Sequence, residues 1–369
     1  MLNSKKYWLA FAALEKIGST FIHKLYDYFN GDIEQAWNAD IVELVSIEGL
    51  TKKQIDSFLS ERKSISPDAS LDFILKSNTD FITFDDPSYP ELLRHIYNPP
   101  MTLFIAGDLK SCNLSKTLAV VGSRKASEYS KDILNKIISD FKGSDITVVS
   151  GLASGVDTAA HYAALKNNLQ TIAVIAGGFK NIYPSANKGL FREIQNGYGA
   201  IISEYWPTFE PIAWRFPHRN RIVSGLSYGT LVAEAAIKSG ALITAKLCLE
   251  QGRELMCIPG LVSNPNTEGI YKLLKDGASL VTSSKDILEA LNWEFTSAEK
   301  NDLSQNINSL TQQENLVYDI IAKDSFNIDE LMLKTNFNIG DLMVILTKLE
   351  IEGLIKQTDG DKYISLAVF

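Results

Sequence analysis

The sequence predicts an α/β protein built on a mostly parallel sheet, with a small helical domain before the sheet and a second small domain after it. Three observations lead to this fold class. Apolar runs alternate with helical segments between residues 118 and 282, residues 5–62 show no strand pattern, and a polar stretch separates residues 314–369 from the rest. The 369 residues also suffice for two or three domains.

Residues 1–66 are predicted to form the helical domain. Two segments, 14–20 and 44–51, each place a glycine between two helical stretches. This arrangement is SAM- or helix-hairpin-helix-like, and the turn of such a hairpin can hold a phosphate through its N–H groups. Only Lys52 and Lys53 lie close to the second turn, so a bundle that simply packs on the next domain is the favoured interpretation.

Residues 67–293 are predicted to hold the sheet, after a boundary at 64–68. Strands near 81–84 and 101–107 flank a proline-stiffened connection. Continuous apolar strands alternating with helices indicate a parallel sheet covered on both faces, with right-handed crossovers, in an extended Rossmann-like arrangement. The apolar runs that define this alternation are 118–121, 146–149, 171–176, 200–203, 230–233, 254–258 and 279–282.

Residues 294–313 are polar and are interpreted as a linker. Residues 314–369 predict three helices and then a hairpin around an Asp-Gly turn, which is typical of a winged-helix domain. Between residues 311 and 369 there are ten acidic residues, five lysines and no arginine. A domain that reads DNA should have the opposite balance, so we expect a protein contact or a structural role.

Composition limits the class of protein. The formal net charge of −8 argues against a generally basic surface but allows a local basic groove. No apolar run reaches the roughly 20 residues of a membrane helix, and the N-terminus lacks a signal-peptide pattern. The three cysteines are widely spaced and the four histidines are dispersed, so we expect a cytoplasmic protein without a metal site or cofactor.

The loop 150–155 joins an apolar strand to an alanine-rich helix and contains Gly151 and Gly155. Such a junction leaves backbone N–H groups without helical partners, and the helix dipole adds partial positive charge there. The loop lacks the complete dinucleotide fingerprint and the Walker lysine. By itself it indicates either an anion site or a close-packed turn without a ligand.

Cations follow several of the predicted strands, whose carboxyl ends should meet at one edge of the sheet. They are Arg124, Lys125, Lys180, Lys188, Arg215, Arg219 and Arg221. Together with aromatic residues such as Phe179 and Phe216, they suit a single-stranded nucleic acid, whose phosphates need charge and whose bases need flat apolar faces. The alternative for Arg219 and Arg221 is a solvated helix face or ion pairs with Glu204 and Glu234.

The motifs, taken in order, closely resemble those of the DNA-processing protein DprA (Smf) family. The resemblance covers roughly residues 80–285 and rests on many motifs in one order. They include 89–93, 98–100, 121–125, 150–153, 155–161, 183–184, 203–205, 216–227, 239–245, 251–254 and 259–260.

This resemblance implies a Rossmann-like core that binds single-stranded DNA without sequence preference and has no enzymatic activity. It also implies a homodimer that protects incoming DNA and loads the RecA recombinase onto it during natural transformation. By motif position, Arg124, Gly151, Gly155, Phe216, Arg219 and Arg221 would line the DNA pocket. With their neighbours, the predicted DNA-binding residues are Gly122, Ser123, Arg124, Lys125, Gly151, Ser154, Gly155, Lys180, Asn187, Lys188, Arg215, Phe216, Arg219, Asn220 and Arg221.

One position departs from the family pattern: relatives usually carry arginine where this chain has Ser154. An interaction of the family with DNA is therefore either absent or supplied by Lys180 or Lys188. The alternative function is a nucleotide hydrolase of the phosphoribohydrolase type, because Gly229-Thr230 followed by Glu234 resembles the signature of those enzymes. Those enzymes place Pro-Gly-Gly before Gly-Thr, whereas this chain has Leu226-Ser227-Tyr228 there, so the DNA-binding interpretation is preferred.

Overall fold

The computed structural model describes residues 2–77, 79–294, 310–351, 354–358 and 362–365. The chain divides into two compact units, residues 1–294 and residues 295–369, and each is described by itself. In the described ranges no helix combines the length and the apolar character needed to cross a membrane. Most of the predicted linker, residues 295–309, lies outside the described residues, and the domain boundaries drawn from the sequence stay predictions.

The N-terminal part of the first unit is helical. Its helices are α1 (Leu2–Ala12), α2 (Ser19–Tyr28), α3 (Ile33–Asn38), α4 (Ile41–Ser46), α5 (Lys52–Arg62) and α6 (Pro67–Ser77). Capping boxes at Asp40 and Thr51 start α4 and α5 by satisfying the first free N–H groups of each helix. Phe11 stacks on Phe58 at 5.7 Å between ring centres, and the same core includes Met101 from beyond these helices.

The sheet of the first unit has nine strands in the described part of the chain. They are β1 (Asp80–Thr83), β2 (Thr102–Gly107), β3 (Thr117–Gly122), β4 (Thr147–Ser150), β5 (Thr171–Val174), β6 (Gly199–Ser203), β7 (Gly229–Glu234), β8 (Glu254–Cys257) and β9 (Ser279–Leu280). Their order is β1-β2-β6-β5-β4-β3-β7-β8-β9, with β1 and β2 antiparallel and the pairs from β6 to β9 parallel. The predicted mostly parallel, Rossmann-like sheet is confirmed.

Helices connect these strands and cover both faces of the sheet. They are α7 (Glu91–Arg94), α8 (Glu128–Ser139), α9 (Val156–Lys166), α10 (Lys188–Glu193), α11 (Arg215–Gly225), α12 (Ala241–Glu250), α13 (Glu268–Lys275) and α14 (Ser284–Leu291). The chain builds one half of the sheet from β3 to β6 and then returns to place β7 beside β3. A crevice is expected where the strand order reverses, outside the carboxyl ends of β3, β4 and β7.

The second unit has the elements of a winged-helix domain, as predicted. Its helices are α15 (Gln312–Ile321), α16 (Ile328–Thr335) and α17 (Ile339–Ile351), and β10 (Ile355–Gln357) pairs antiparallel with β11 (Tyr363–Ser365). Val317, Leu331 and Leu346 are buried together in its core. The predicted Asp-Gly turn at residues 359–361 lies outside the described residues.

Candidate functional site

An open groove lies along the edge of the sheet where β3, β4 and β5 end, beside the point where the strand order reverses. We call it the rim groove. One end is lined by Arg124, Gly151, Ala153, Ser154, Tyr183, Pro184, Phe216 and Arg219. From there it continues over Gly122, Asp157, Asn220 and Thr244 towards the start of α12.

The loop after β3 carries two exposed cations, of which Arg124 lines the rim groove and Lys125 does not. Arg124 and Lys125 are exposed at a turn, and the N–H of Lys125 donates to the Ser123 hydroxyl at 3.1 Å. The Arg124 guanidinium lies 5.4 Å from the ring centre of Phe216, within the range of a cation–π contact. Arg124 of this loop and Phe216 of α11 therefore place a cation and an aromatic ring side by side.

The loop after β4 needs glycine at two positions. Gly155 has a φ of +84°, and a Cβ there would lie 2.2 Å from the Ser123 carbonyl oxygen. At Gly151 a Cβ would lie 2.7 Å from both Arg219 Nη2 and Asp157 Oδ2. The glycines thus allow this loop to pack against the loop after β3 and against two charged side chains.

The carboxylate of Asp157 occupies part of the predicted anion site. Its Oδ2 accepts hydrogen bonds from the N–H groups of Gly151 at 3.1 Å and Ala153 at 3.3 Å. Burial raises the pKa of Asp157 to about 6, although Arg219 and these two N–H groups oppose the shift. At neutral pH the Asp157 carboxylate therefore already offsets part of the positive charge of the loop N–H groups.

Other N–H groups of the same junction remain available. In the described part of the chain, those of Ser154, Gly155 and Asp157 donate to no acceptor. Ser154 is exposed and lines the rim groove. The predicted anion site, which stays a prediction, would therefore use the N–H groups of Ser154, Gly155 and Asp157 at the start of α9.

Arg219 is a buried residue of the groove lining, and it stabilises the ends of two strands. It is buried, and its Nη1 donates to the carbonyl oxygen of Gly151 at 2.6 Å and to that of Val174. Burial lowers the pKa of Arg219 to about 10, so the guanidinium is still protonated at neutral pH. Arg219 thus ties the ends of β4 and β5 together and adds positive charge under the groove.

Two aromatic rings form one wall of the groove. Phe216 and Tyr183 meet at 5.5 Å between ring centres with an interplanar angle of 68°, and Tyr183 is 55% exposed. The peptide bond from Tyr183 to Pro184 is cis. Tyr183 is not among the predicted site residues, although the position of Tyr183-Pro184 after a strand of the parallel sheet is a signal that could identify it.

The prediction that seven cations converge on one rim is corrected for Arg215 and Arg221, which do not line the rim groove. Arg215 is 1% exposed, contacts the rings of Tyr205, Phe209 and Trp214, and donates to the Glu210 carbonyl at 2.6 Å. A buried guanidinium needs acceptors and flat neighbours, and the protein supplies both, although the Nε of Arg215 has no hydrogen-bond partner among the described residues.

Arg221 forms an ion pair with Glu204, as the alternative interpretation predicts. Its two Nη atoms donate to the two carboxylate oxygens at 2.8 and 2.6 Å. Although burial opposes ionisation, Arg221 and His218 lower the pKa of Glu204 to about 2. The Nη2 atom also reaches the Ser19 hydroxyl at 3.3 Å, so this pair links α11 to the N-terminal helices.

The two lysines predicted to replace the arginine missing at Ser154 also lie outside the residues that line the groove. The Nζ of Lys180 is 5.3 Å from the ring centre of Phe73, and Lys188 is exposed at the start of α10. Asn187 is buried, and its amide donates to the Leu152 carbonyl at 2.9 Å and to Thr158 at 2.8 Å. Asn187 therefore supports the loop after β4 from within.

The described residues contain no group of three or more His, Cys, Asp or Glu side chains that could hold a metal ion. Glu234 does not line the rim groove, and its carboxylate is buried against Ser127. An Asp157–His161 hydrogen bond, which the spacing allows, is not formed. His161 instead pairs with the Thr171 hydroxyl at 2.8 Å.

The doubly wound sheet, the open groove at its strand reversal and the separate winged-helix unit define a Rossmann-like protein with a winged-helix extension. A family model described as DNA recombination-mediator protein A matches residues 80–292, and one described as DprA winged helix domain matches residues 302–361. The chain belongs to the DprA (Smf) family.

Relatives and solved structures agree with this assignment. Protein Smf of Synechocystis sp. is 32% identical over 98% of this chain and 99% of its own length. Protein Smf of Escherichia coli is 43% identical over 66% of this chain and 64% of its own. The X-ray structure of DNA processing protein A from Streptococcus pneumoniae superposes with a TM-score of 0.68 at 36% identity, covering 79% of this chain and 98% of that one.

A second solved relative is DNA processing protein A from Helicobacter pylori, whose structure is described as giving insight into its single-stranded DNA binding mode. It superposes with a TM-score of 0.52 at 28% identity and covers 58% of this chain and 98% of that one.

Proposed function

We propose that this chain binds single-stranded DNA without sequence preference and passes it to the RecA recombinase in the recombination step of natural transformation. The observation that carries the proposal is the rim groove, in which Arg124, the ring of Phe216 and the free N–H groups at the start of α9 lie together. Membership of the DprA family supports the same assignment.

The groove offers separate partners for the backbone and for the bases of a strand. Arg124 and the N–H groups of Ser154 and Gly155 suit a phosphate, since guanidinium and backbone donors both bind phosphate oxygens. The rings of Phe216 and Tyr183 suit stacking with unpaired bases, which contributes about 1–3 kcal/mol per base. Because paired bases in a duplex hide these faces, the groove should prefer single strands.

Binding is favoured over hydrolysis by the position of Glu234. The hydrolase alternative assigns the chemistry to Glu234, the glutamate of the Gly-Thr…Glu signature, whereas this residue does not line the rim groove. Its carboxylate instead accepts the N–H of Ser127 at 3.1 Å. A DNA-binding protein without enzymatic activity is therefore the preferred function.

The winged-helix unit is assigned to protein contact within this proposal. Leu333 and Val344 are exposed on α16 and α17, and Lys348 of α17 is paired with Glu314 at 2.8 Å. An apolar helix surface suits another protein better than it suits phosphate. Assembly as a homodimer, transfer of the strand to RecA and a cytoplasmic location belong to the same proposal and rest on the family resemblance.

The proposal is tested by fluorescence anisotropy with a labelled oligothymidine, with an unlabelled duplex of equal length as competitor. We expect tight binding of the single strand, weak competition by the duplex, and an affinity that falls with salt. The Arg124→Ala variant should bind more weakly, with a salt slope reduced by about 0.7 for each phosphate that the protein no longer neutralises. Equal affinity for duplex and single strand, or release of base from nucleotides that Glu234→Gln abolishes, would favour a different function.

A further inference from the structure

Both ends of the loop after β3, residues 123–127, are attached to a single residue, Glu234. At the first end, the N–H of Ser123 donates to the backbone carbonyl of Glu234 at 2.7 Å. At the other end, the Glu234 Oε2 atom accepts the N–H of Ser127 at 3.1 Å and also the Ser127 hydroxyl. Arg124 and Lys125 lie between these two anchors. We call residues 123–127 the cationic loop.

The attachment is buried and connects the loop to the centre of the sheet. Glu234 is 1% exposed and ends β7, the strand placed beside β3 where the strand order reverses. The pairing between β3 and β7 shifts register between Val121 and Gly122, just before the cationic loop. The loop therefore leaves the sheet where the ladder is irregular, and the side chain of Glu234 supplies the anchor at its far end.

Among the described residues, the cationic side chains add one contact that holds the loop, that of Arg124 with the Phe216 ring at 5.4 Å. Arg124 and Lys125 are exposed, and within the described ranges neither forms an ion pair. The Ser127 hydroxyl also accepts the N–H of Ser130, so the same serine caps α8 and joins it to Glu234. The position of the loop thus depends on the anchors at residues 123 and 127, together with the Val156 N–H, which donates to the Ser123 carbonyl at 3.1 Å.

We infer that Glu234 is a positioning residue for DNA binding: it holds the cationic loop so that Arg124 and Lys125 face the phosphates of a bound strand. This inference rests on the proposed function. It also explains the presence of a buried carboxylate at the strand reversal that does not itself line the groove. One of its oxygens, Oε1, has no hydrogen-bond partner among the described residues, so the other oxygen makes all of the side chain's hydrogen bonds.

The test compares Glu234→Ala with Glu234→Gln in oligothymidine binding over a range of salt concentrations. Alanine removes the anchor, so we expect affinity to fall roughly tenfold and the salt slope to decrease by about 1.4, the value for two phosphates that are no longer neutralised. Glutamine keeps an acceptor oxygen for Ser127 and should recover most of the affinity and the slope. In an Arg124→Ala/Lys125→Ala background, Glu234→Ala should cause no further loss of affinity.

Glu254→Ala is the matched control. Glu254 also accepts a serine hydroxyl, from Ser279 at 2.6 Å, but it begins β8 at the opposite edge of the sheet. Its replacement should leave DNA affinity unchanged. If Glu234→Ala does not fold, Ser127→Ala serves instead, because it removes the hydroxyl donor of the same anchor and should also lower the slope.

The outcomes separate this inference from the proposed function. Failure of the wild-type chain to bind oligothymidine contradicts the proposed function and removes the basis of the inference. Wild-type binding with an unchanged salt slope in Glu234→Ala, or an equal further loss in the Arg124→Ala/Lys125→Ala background, overturns the inference alone.

Discussion

Replacement of Arg219 by alanine should destabilise the first unit rather than simply remove an interaction with DNA. Arg219 donates to the carbonyl oxygens of Gly151 and Val174, and it is the main charge that favours ionisation of the buried Asp157. Truncation leaves these carbonyls and the carboxylate without their cation. Breaking a buried charge pair costs about 3–5 kcal/mol, which corresponds to a Tm lower by roughly 5–8 °C for a unit of this size.

The measurement is thermal unfolding by circular dichroism, with Arg124→Ala as the control. Arg124 is exposed, so its replacement should leave the Tm nearly unchanged while it weakens DNA binding. The loss in Arg219→Ala should be larger above the Asp157 pKa of about 6 than below it, because protonation removes the uncompensated negative charge. An unchanged Tm in Arg219→Ala, with a selective loss of DNA affinity, would refute the claim that Arg219 stabilises the ends of β4 and β5.

Three further predictions concern other parts of the chain. Burial lowers the pKa of His161 to about 3, so the stability that its neutral form contributes is complete above about pH 6.5 and is lost as the pH falls towards 3. The free energy of unfolding in urea should therefore differ less between the wild type and His161→Gln at about pH 5 than at about pH 7, by about 2 kcal/mol. A difference that stays constant over this pH range would contradict the prediction. Gly155→Ala should cost at least about 2 kcal/mol in the same assay, because the residue has a positive φ and its Cβ would meet the Ser123 carbonyl; a neutral effect would show that the loop relaxes freely. Removal of residues 311–369 should leave most oligothymidine affinity in place, and a large loss measured by anisotropy would assign DNA binding to the winged-helix unit.

The sheet could be predicted because its signal is local. A fully buried parallel strand requires a continuous apolar run, and 118–121 and 146–149 correspond closely to β3 and β4. The position of the groove followed from the same pattern, since carboxyl ends of parallel strands share an edge. The glycines of the loop after β4 were also informative, because Gly155 adopts a backbone conformation that other residues rarely adopt.

The orientation of the charged side chains could not be predicted in this way. Arg215, Arg219 and Arg221 belong to one helix, yet their acceptors come from distant parts of the chain, such as Glu15 for Arg215 and Gly151 for Arg219. Sequence spacing does not reveal such long-range partners. Asp157 is close in sequence to the loop N–H groups from which it accepts hydrogen bonds, but the direction of its side chain became visible only in the structure.

The most direct test of the proposed binding site is an experimental structure of the chain with a short oligothymidine. We expect a phosphate within hydrogen-bond distance of Arg124 and of the N–H groups of Ser154 and Gly155, with a base against Phe216 or Tyr183. A strand bound elsewhere, for example on the N-terminal helices or the winged-helix unit with the rim groove empty, would contradict the account.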